Sequence, residues 1–357
     1  MRNRIAALLA VLLGVAGQQA ADGGLFTNCE LDKVNRCIQG QVLDFTHNHG
    51  KDNRIWSAAL CQKRDLYVYL PPNYDPAKKY SLGIFLHGAG QDEQFFLKTA
   101  AKGFDKAIAE GKLPPCIIAA PDGSLHGRPE YYHIASFFAN TDAGRYEDYL
   151  MQDVWDFLMS TFSIRPEREA HTLMGASMGG AAAFANAIKH QDKIKTAMGF
   201  VPALNVRWVD CRGRYQAPFD PDCWGWREQL RPFEVIGYPK GIVKIRFHNL
   251  FGPLIGHGPD AMEKLSRFNP IEMMDQYDLK PGDLNLYIAY GGKDEFNIMA
   301  QVESFMYRAK QRGIDIGVGY DPEGRHNTET GRKLMPAALE WAAPRVLPPT
   351  EAVKERK

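Results

Sequence analysis

Short apolar runs alternate along this chain with segments of helical periodicity, and most of the runs end in glycine, proline or a charged residue. Ile38 to Phe45 and Arg64 to Leu70 have strand composition, the second alternating polar with apolar positions. Pro71 to Pro76 then reads as a turn. Tyr80 to Leu86 predicts a buried strand, and a helix follows from Phe95 to Glu110. Cys116 to Ala120 predicts another strand, closed by Pro121-Asp122-Gly123. After a long aromatic-rich loop, Ser124 to Gly144, the stretch Arg145 to Phe162 has helical periodicity. Its acidic start, Glu147 and Asp148, suits the positive end of a helix dipole. Ala170 to Met174, Ala197 to Pro202, Leu284 to Tyr290 and Ile316 to Tyr320 read as further strands, and Gly180 to Lys189 as an Ala-rich helix. Strands alternating with helices pair in parallel through right-handed crossovers. The pattern therefore predicts an α/β fold: a doubly wound, mostly parallel sheet with helices on both faces.

Residues 204–268 break this alternation. Trp208, Trp224, Trp226, Phe247, Phe251 and several prolines predict an insertion over the C-terminal edge of the sheet, where open α/β folds bind ligands. A stabilising excursion far from that edge is the alternative. The same aromatic character marks Tyr131-Tyr132-His133 to Asn140, which suits stacking on a sugar or aryl group, or a flap packed on the core. Residues 22–36 are irregular and polar, the main domain runs over 37–345, and 346–357 form a charged, flexible tail.

Residues 1–20 read as a secretory signal. Arg2 and Arg4 supply positive charge, and Ile5 to Val15 is apolar but too short to span a bilayer. An uncleaved anchor is the competing reading. A secreted or periplasmic protein is expected, with no stable membrane insertion after signal removal. Six cysteines fit export. Proximity favours Cys29 with Cys37 and Cys211 with Cys223, while Cys61 and Cys116 lie in apolar runs and read as buried thiols. Lys and Arg number 43 against 42 for Asp and Glu, so no strong field favours nucleic acid. There is no C-x-x-C pair, dinucleotide fingerprint or phosphate-binding loop, so no cofactor is expected. His47-Asn48-His49 would place two imidazoles on one strand face, but no further ligands cluster nearby in sequence, and no metal is expected. The sequence fixes no oligomeric state.

The chemistry is carried by Gly175-Ala176-Ser177-Met178-Gly179, a G-x-S-x-G pentapeptide between a predicted strand and a predicted helix. Such a junction holds the serine on a strained turn with its hydroxyl above the sheet. A hydroxyl needs a base, and the base works better when a carboxylate fixes its tautomer. Downstream, Asp294 follows the Leu284 strand, with Glu295 as second choice, and His326 follows the Ile316 strand. This is the Ser, acid, His order of the fold class. Two backbone donors are needed for the oxyanion. The Met178 amide is one; Ala89, or failing it Gly88, in His87-Gly88-Ala89-Gly90 is the other. His87 reads as a loop anchor.

Tyr67 to Tyr74, Leu86-His87-Gly88, Tyr146 to Leu150, Gly175 to Gly180, Gly291 to Asp294 and His326 together resemble the esterase D-like family of α/β-hydrolases. That family includes feruloyl and acetylxylan esterases, S-formylglutathione hydrolases, enterochelin esterases and mycolyltransferases. The resemblance covers roughly residues 40 to 340. It implies an α/β-hydrolase fold with Ser177 as nucleophile, Asp294 as orienting acid and His326 as base. It also implies a small-molecule or polysaccharide ester as substrate, such as acetyl or feruloyl esters of carbohydrates. The alternatives are an acyltransferase on the same scaffold and an inactive carbohydrate-binding or interaction protein.

Overall fold

The computed structural model describes residues 30–129, 135–239 and 243–351. The signal reading at 1–20, Cys29 and Tyr131 to His133 lie outside these residues. Eight strands form the central sheet: β1 (Gln41–Phe45), β2 (Leu66–Leu70), β3 (Ser81–Leu86), β4 (Cys116–Pro121), β5 (His171–Ala176), β6 (Thr196–Phe200), β7 (Asn285–Gly291) and β8 (Ile316–Asp321). Their spatial order is β1-β2-β4-β3-β5-β6-β7-β8. Only β2 runs against its neighbours; from β4 to β8 every pairing is parallel.

Side chains alternate across the sheet, as the pleat requires. Leu82, Ile84 and Leu86 of β3 join one apolar cluster, and Phe85 joins the other. The helices used below are α1 (Ala101–Ala109), α2 (Trp155–Thr161), α3 (Met178–Lys189), α4 (Phe247–Ile255), α5 (Ile298–Gln311) and α6 (Thr328–Ala342). Phe104 of α1 and Leu334 of α6 close the Phe85 face, whereas Leu158 of α2, Phe184 of α3 and Phe305 of α5 close the opposite one. Because both faces are covered, the strands read as near-continuous apolar runs. Among the described residues, no helix is long and apolar enough to cross a membrane.

Three local expectations need correction. The helix expected from Phe95 to Glu110 is two pieces, Gln94–Thr99 and α1, joined at Ala100, where φ of −118° departs from helical geometry. The Arg145–Phe162 helix widens into a π-helical stretch at Tyr149–Val154 before α2, burying Tyr149 and Leu150. Cys61 is exposed: it sits at φ 52° in the turn between the short strands Ile55–Ser57 and Gln62–Arg64. Cys116 is buried in β4, and its thiol is pushed up to about 12 by burial.

Residues 204–268 fold into two small hairpins and two helices. Trp208–Asp210 pairs with Trp224–Trp226, and Cys211–Cys223 bridges the loop between them. Val235–Gly237 pairs with Ile245–Arg246, leading directly into α4.

Candidate active site

Parallel strands bring their C-terminal ends to one edge of the sheet. The loops after β3, β5, β7 and β8 carry His87 to Gly90, Ser177, Asp294 and His326 respectively. Ser177 occupies φ 53°, ψ −114°, a conformation that a non-glycine residue adopts only when its surroundings enforce it. Its amide donates to Phe200 O at 2.8 Å and its carbonyl accepts from Ala181 at 3.0 Å, so β6 and α3 pin the turn from both sides.

The flanking glycines are required by contact. A Cβ on Gly179 would lie 2.1 Å from Leu86 O and 2.6 Å from His87 O, and one on Gly175 would lie 2.5 Å from the Gly179 carbonyl. Every neighbour is backbone, which cannot step aside. Gly179→Ala should therefore destabilise the fold by about 3 kcal/mol or more. Gly225→Ala, where nothing lies within 4 Å, is the control. Urea denaturation of the two variants checks this, and equal midpoints would refute the close-approach account.

The Ser177 hydroxyl donates to His326 Nε2 at 2.9 Å. His326 Nδ1–H donates to Asp294 Oδ2 at 2.7 Å, since an ionised carboxylate can only accept. Asp294 is fully buried, and its other oxygen accepts the Phe296 amide at 2.8 Å. Burial lowers the His326 pKa, the Asp294 carboxylate and, behind it, Glu295 together raise it by more, and the net position is above the ordinary 6.5. The two loops are fastened together by Gly292 N–H to Asp321 O and Lys293 N–H to Gly324 O, at 2.9 and 2.8 Å. Glu295 is occupied elsewhere: one oxygen accepts the His326 backbone amide and the other pairs with Arg325, both at 2.9 Å.

In the β3 loop, Gly88 N–H donates to Gln91 Oε1 at 2.9 Å, so this amide braces its own loop. Ala89 and Met178 both line the cavity at Ser177. His87 is buried beneath them. The Gly123 amide donates to its Nε2 at 2.8 Å and its Nδ1–H reaches Gly88 O at 2.9 Å, an arrangement that requires neutral imidazole. Burial lowers its pKa accordingly.

The two imidazoles at 47 and 49 serve different partners: His47 Nδ1 meets Asp65 at 2.8 Å and His49 Nε2 meets Tyr67 Oη at 2.8 Å. Asp65, Glu93 and Asp122 form a buried trio nearby. Arg64, fully buried, pairs with Asp122 at 2.8 Å, while burial and the adjacent Asp122 raise Glu93 to about 9 and leave it protonated at neutral pH. The cluster thus contains its own counter-charge.

Two cavities flank the serine, and Ala89, Ser177 and His326 border both. One, of about 160 Å³, adds Gln91, Thr99, Thr328 and Arg332. The other, of about 280 Å³, is walled by Phe137, Phe247, Phe251, Ile236 and Phe296. Phe137 comes from the aromatic loop, while its neighbour Phe138 is fully buried in the core and contacts His87. The second cavity's inner residues, Tyr215 and Gln301, were not legible in the sequence. The only hint of Tyr215 is its place between two cysteines.

The sequence matches the family model described as "Putative esterase" over residues 57–329. A segment of 61 residues is 39% identical to endo-1,4-beta-xylanase Y of Acetivibrio thermocellus, covering 16% of this chain and only 6% of that protein. A ferulic acid esterase structure superposes with a TM-score of 0.63 at 14% identity, covering 86% of this chain and 99% of that one. An S-formylglutathione hydrolase from Agrobacterium tumefaciens gives 0.59 at 17% identity, covering 87% and 97%. A ferulic acid esterase from Anaeromyces mucronatus, in complex with ferulic acid, gives 0.54 at 16% identity, covering 85% and 90%. With the strand order and the family match agreeing, the chain has the α/β-hydrolase fold and belongs to the putative esterase family.

Proposed function

We propose that Ser177 is the nucleophile, His326 the general base and acid, and Asp294 the group that holds the imidazole in the useful tautomer. The observation that carries this is the relay itself, 2.9 Å from hydroxyl to imidazole and 2.7 Å from imidazole to carboxylate. Ser177 attacks the ester carbonyl and its proton passes to His326 Nε2. The oxyanion is received by the Met178 and Ala89 amides, with the N-terminus of α3 adding its positive dipole end. His326 then protonates the leaving alcohol, and water releases the acid by the same route.

Acetyl or feruloyl esters of carbohydrates are the proposed substrates, a reading supported by the ferulic acid esterase neighbours and by the xylanase segment. The Cys211–Cys223 bridge supports work outside the cytoplasm, secreted or periplasmic. A second reading, acyl transfer to an added alcohol, is favoured by the cavity that carries Thr99, Thr328 and Arg332 beside Ser177.

A fluorophosphonate probe followed by hydrolysis of acetylated and feruloylated sugars tests the proposal. Labelling at Ser177 with turnover is expected, and an unlabelled serine would refute it. Addition of sugar acceptors separates the two readings: transfer predicts acylated acceptor in place of free acid. Since His326 accepts the proton only when neutral, kcat/KM should fall as pH drops through a midpoint above 6.5. A pH–rate profile with its acid limb centred below that value would contradict the assignment.

A further inference from the structure

The loop after β3 turns sharply over Gly88 to Gln91. Gly90 sits at φ 71°, a conformation open to glycine, and the Gln91 amide returns to Gly88 O at 3.3 Å. Both polar groups of Gly88 are held. Its N–H donates to Gln91 Oε1 at 2.9 Å, and its carbonyl also accepts His87 Nδ1–H at 2.9 Å. An amide N–H needs an acceptor, so the Gln91 side chain must present its oxygen end. In a planar trans peptide the carbonyl and the next N–H point in opposite directions. With Gly88 O drawn toward buried His87, the Ala89 N–H is turned the other way, on the side where Ala89 borders both cavities at Ser177. Among the described residues the Ala89 amide has no hydrogen-bond acceptor.

We infer that Gln91 is a positioning residue for the oxyanion hole: by taking up the Gly88 amide, its side chain locks the turn with Ala89 N–H, rather than Gly88 N–H, aimed at the developing charge. The inference rests on the esterase reading of Ser177 and deepens it. Gln91 acts through two peptide planes and not by contact with the ester. Without its oxygen the Gly88 amide is a free donor, and glycine on both sides of Ala89 gives the backbone little resistance to rotation. An oxyanion hole owes its worth to dipoles that are aimed before the reaction, so a loop that must reorganise during it stabilises the transition state less. The brace also fits closely. A Cβ on Gly88 would lie 2.9 Å from Gln91 Oε1 and 3.5 Å from Ala176 O, so the movable side-chain tip is what would give way. The contact can therefore be broken from either end.

The test compares wild type, Gln91→Met and Gly88→Ala in hydrolysis of p-nitrophenyl acetate and in binding of two ketones. Gln91→Met keeps the length and removes the oxygen; Gly88→Ala keeps the glutamine and displaces its tip. Benzyl trifluoromethyl ketone adds the Ser177 oxygen at its carbonyl carbon, passing the hydroxyl proton to His326 and placing an oxyanion in the hole. Benzyl methyl ketone has the same shape and stays a ketone. Loss of one oxyanion donor lowers kcat by about 10²–10³-fold, and a donor that is present but loosely aimed should cost about 10–10²-fold. Both variants should show that fall in kcat with KM within a few-fold of wild type. The trifluoromethyl ketone should weaken by a similar factor while the methyl ketone is unchanged. The acid limb of the pH profile should not move, because the relay from Ser177 to Asp294 is untouched.

With wild type active, a kcat within about twofold in Gln91→Met, a loss carried by KM alone, or equal weakening of both ketones overturns the role of Gln91 and leaves Ser177 in place. Wild type inert toward both the ester and the trifluoromethyl ketone would sink the esterase reading itself, and the role of Gln91 with it. Should Gln91→Met fail to fold, Gly88→Ala decides by the same readings.

Discussion

Replacing Ser177 with alanine is expected to lower kcat/KM for p-nitrophenyl acetate by about 10⁶-fold, the loss seen when the nucleophile of a serine hydrolase is removed. The hydroxyl is the atom that would form the acyl bond, and no other described side chain stands within hydrogen-bond reach of His326 Nε2. What remains should be the modest contribution of binding and of the Met178 and Ala89 amides. Alanine keeps the side-chain carbon and so the same backbone demand at φ 53°, and the thermal midpoint should stay close to that of wild type. Turnover within about tenfold of wild type would remove Ser177 from the mechanism.

Asp294→Asn should cost about 10⁴-fold in kcat. The amide is nearly the same size but offers no negative charge to the forming imidazolium, and its nitrogen end would face a ring N–H that needs an acceptor. Glu295 does not step in, because its two oxygens already hold the His326 amide and Arg325. Glu295→Gln should accordingly be far milder. The pH profile supplies a second readout. Against the opposing effect of burial, the Asp294 carboxylate lifts the His326 pKa more than Glu295 does, so without it the acid limb should move to lower pH. An unshifted limb in Asp294→Asn would show that another group is being titrated.

Much of this site was legible in the residues themselves. The pentapeptide at 175–179 is constrained by contacts that any reader can infer, since glycine is the one residue whose lack of Cβ lets Leu86 O approach. That Asp294 and His326 come together with Ser177 can be expected from the sequence because strands end at one edge of the sheet, and strand ends are visible as apolar runs meeting glycine. Gly88 was a weaker candidate for a reason the sequence does not hold: the Gln91 side chain folds back onto its amide. The break at Ala100 was invisible too, because alanine carries no signal against helix continuation. Tyr215 and Gln301 lie 86 positions apart and meet only through the tertiary fold. Gln301 sits on the buried face of α5, where a glutamine in sequence reads as surface.

The Cys211–Cys223 bridge has a reach beyond its own hairpin. Tyr215, inside the bridged loop, donates to Phe296 O at 2.6 Å, and Asn297 Nδ2 donates to Tyr215 O and Ala217 O at 2.6 and 2.9 Å. Phe296 and Asn297 follow Asp294 and Glu295 in the same loop, and the Phe296 ring packs on His326 at 4.6 Å between centroids. The wall of the larger cavity and the loop that carries Asp294 therefore share one covalent staple, and a thiol reductant able to open it would loosen both at once. Titration with dithiothreitol should slow ester turnover as the bridge opens, and unchanged turnover with the bridge fully reduced would show that the staple serves the hairpin alone.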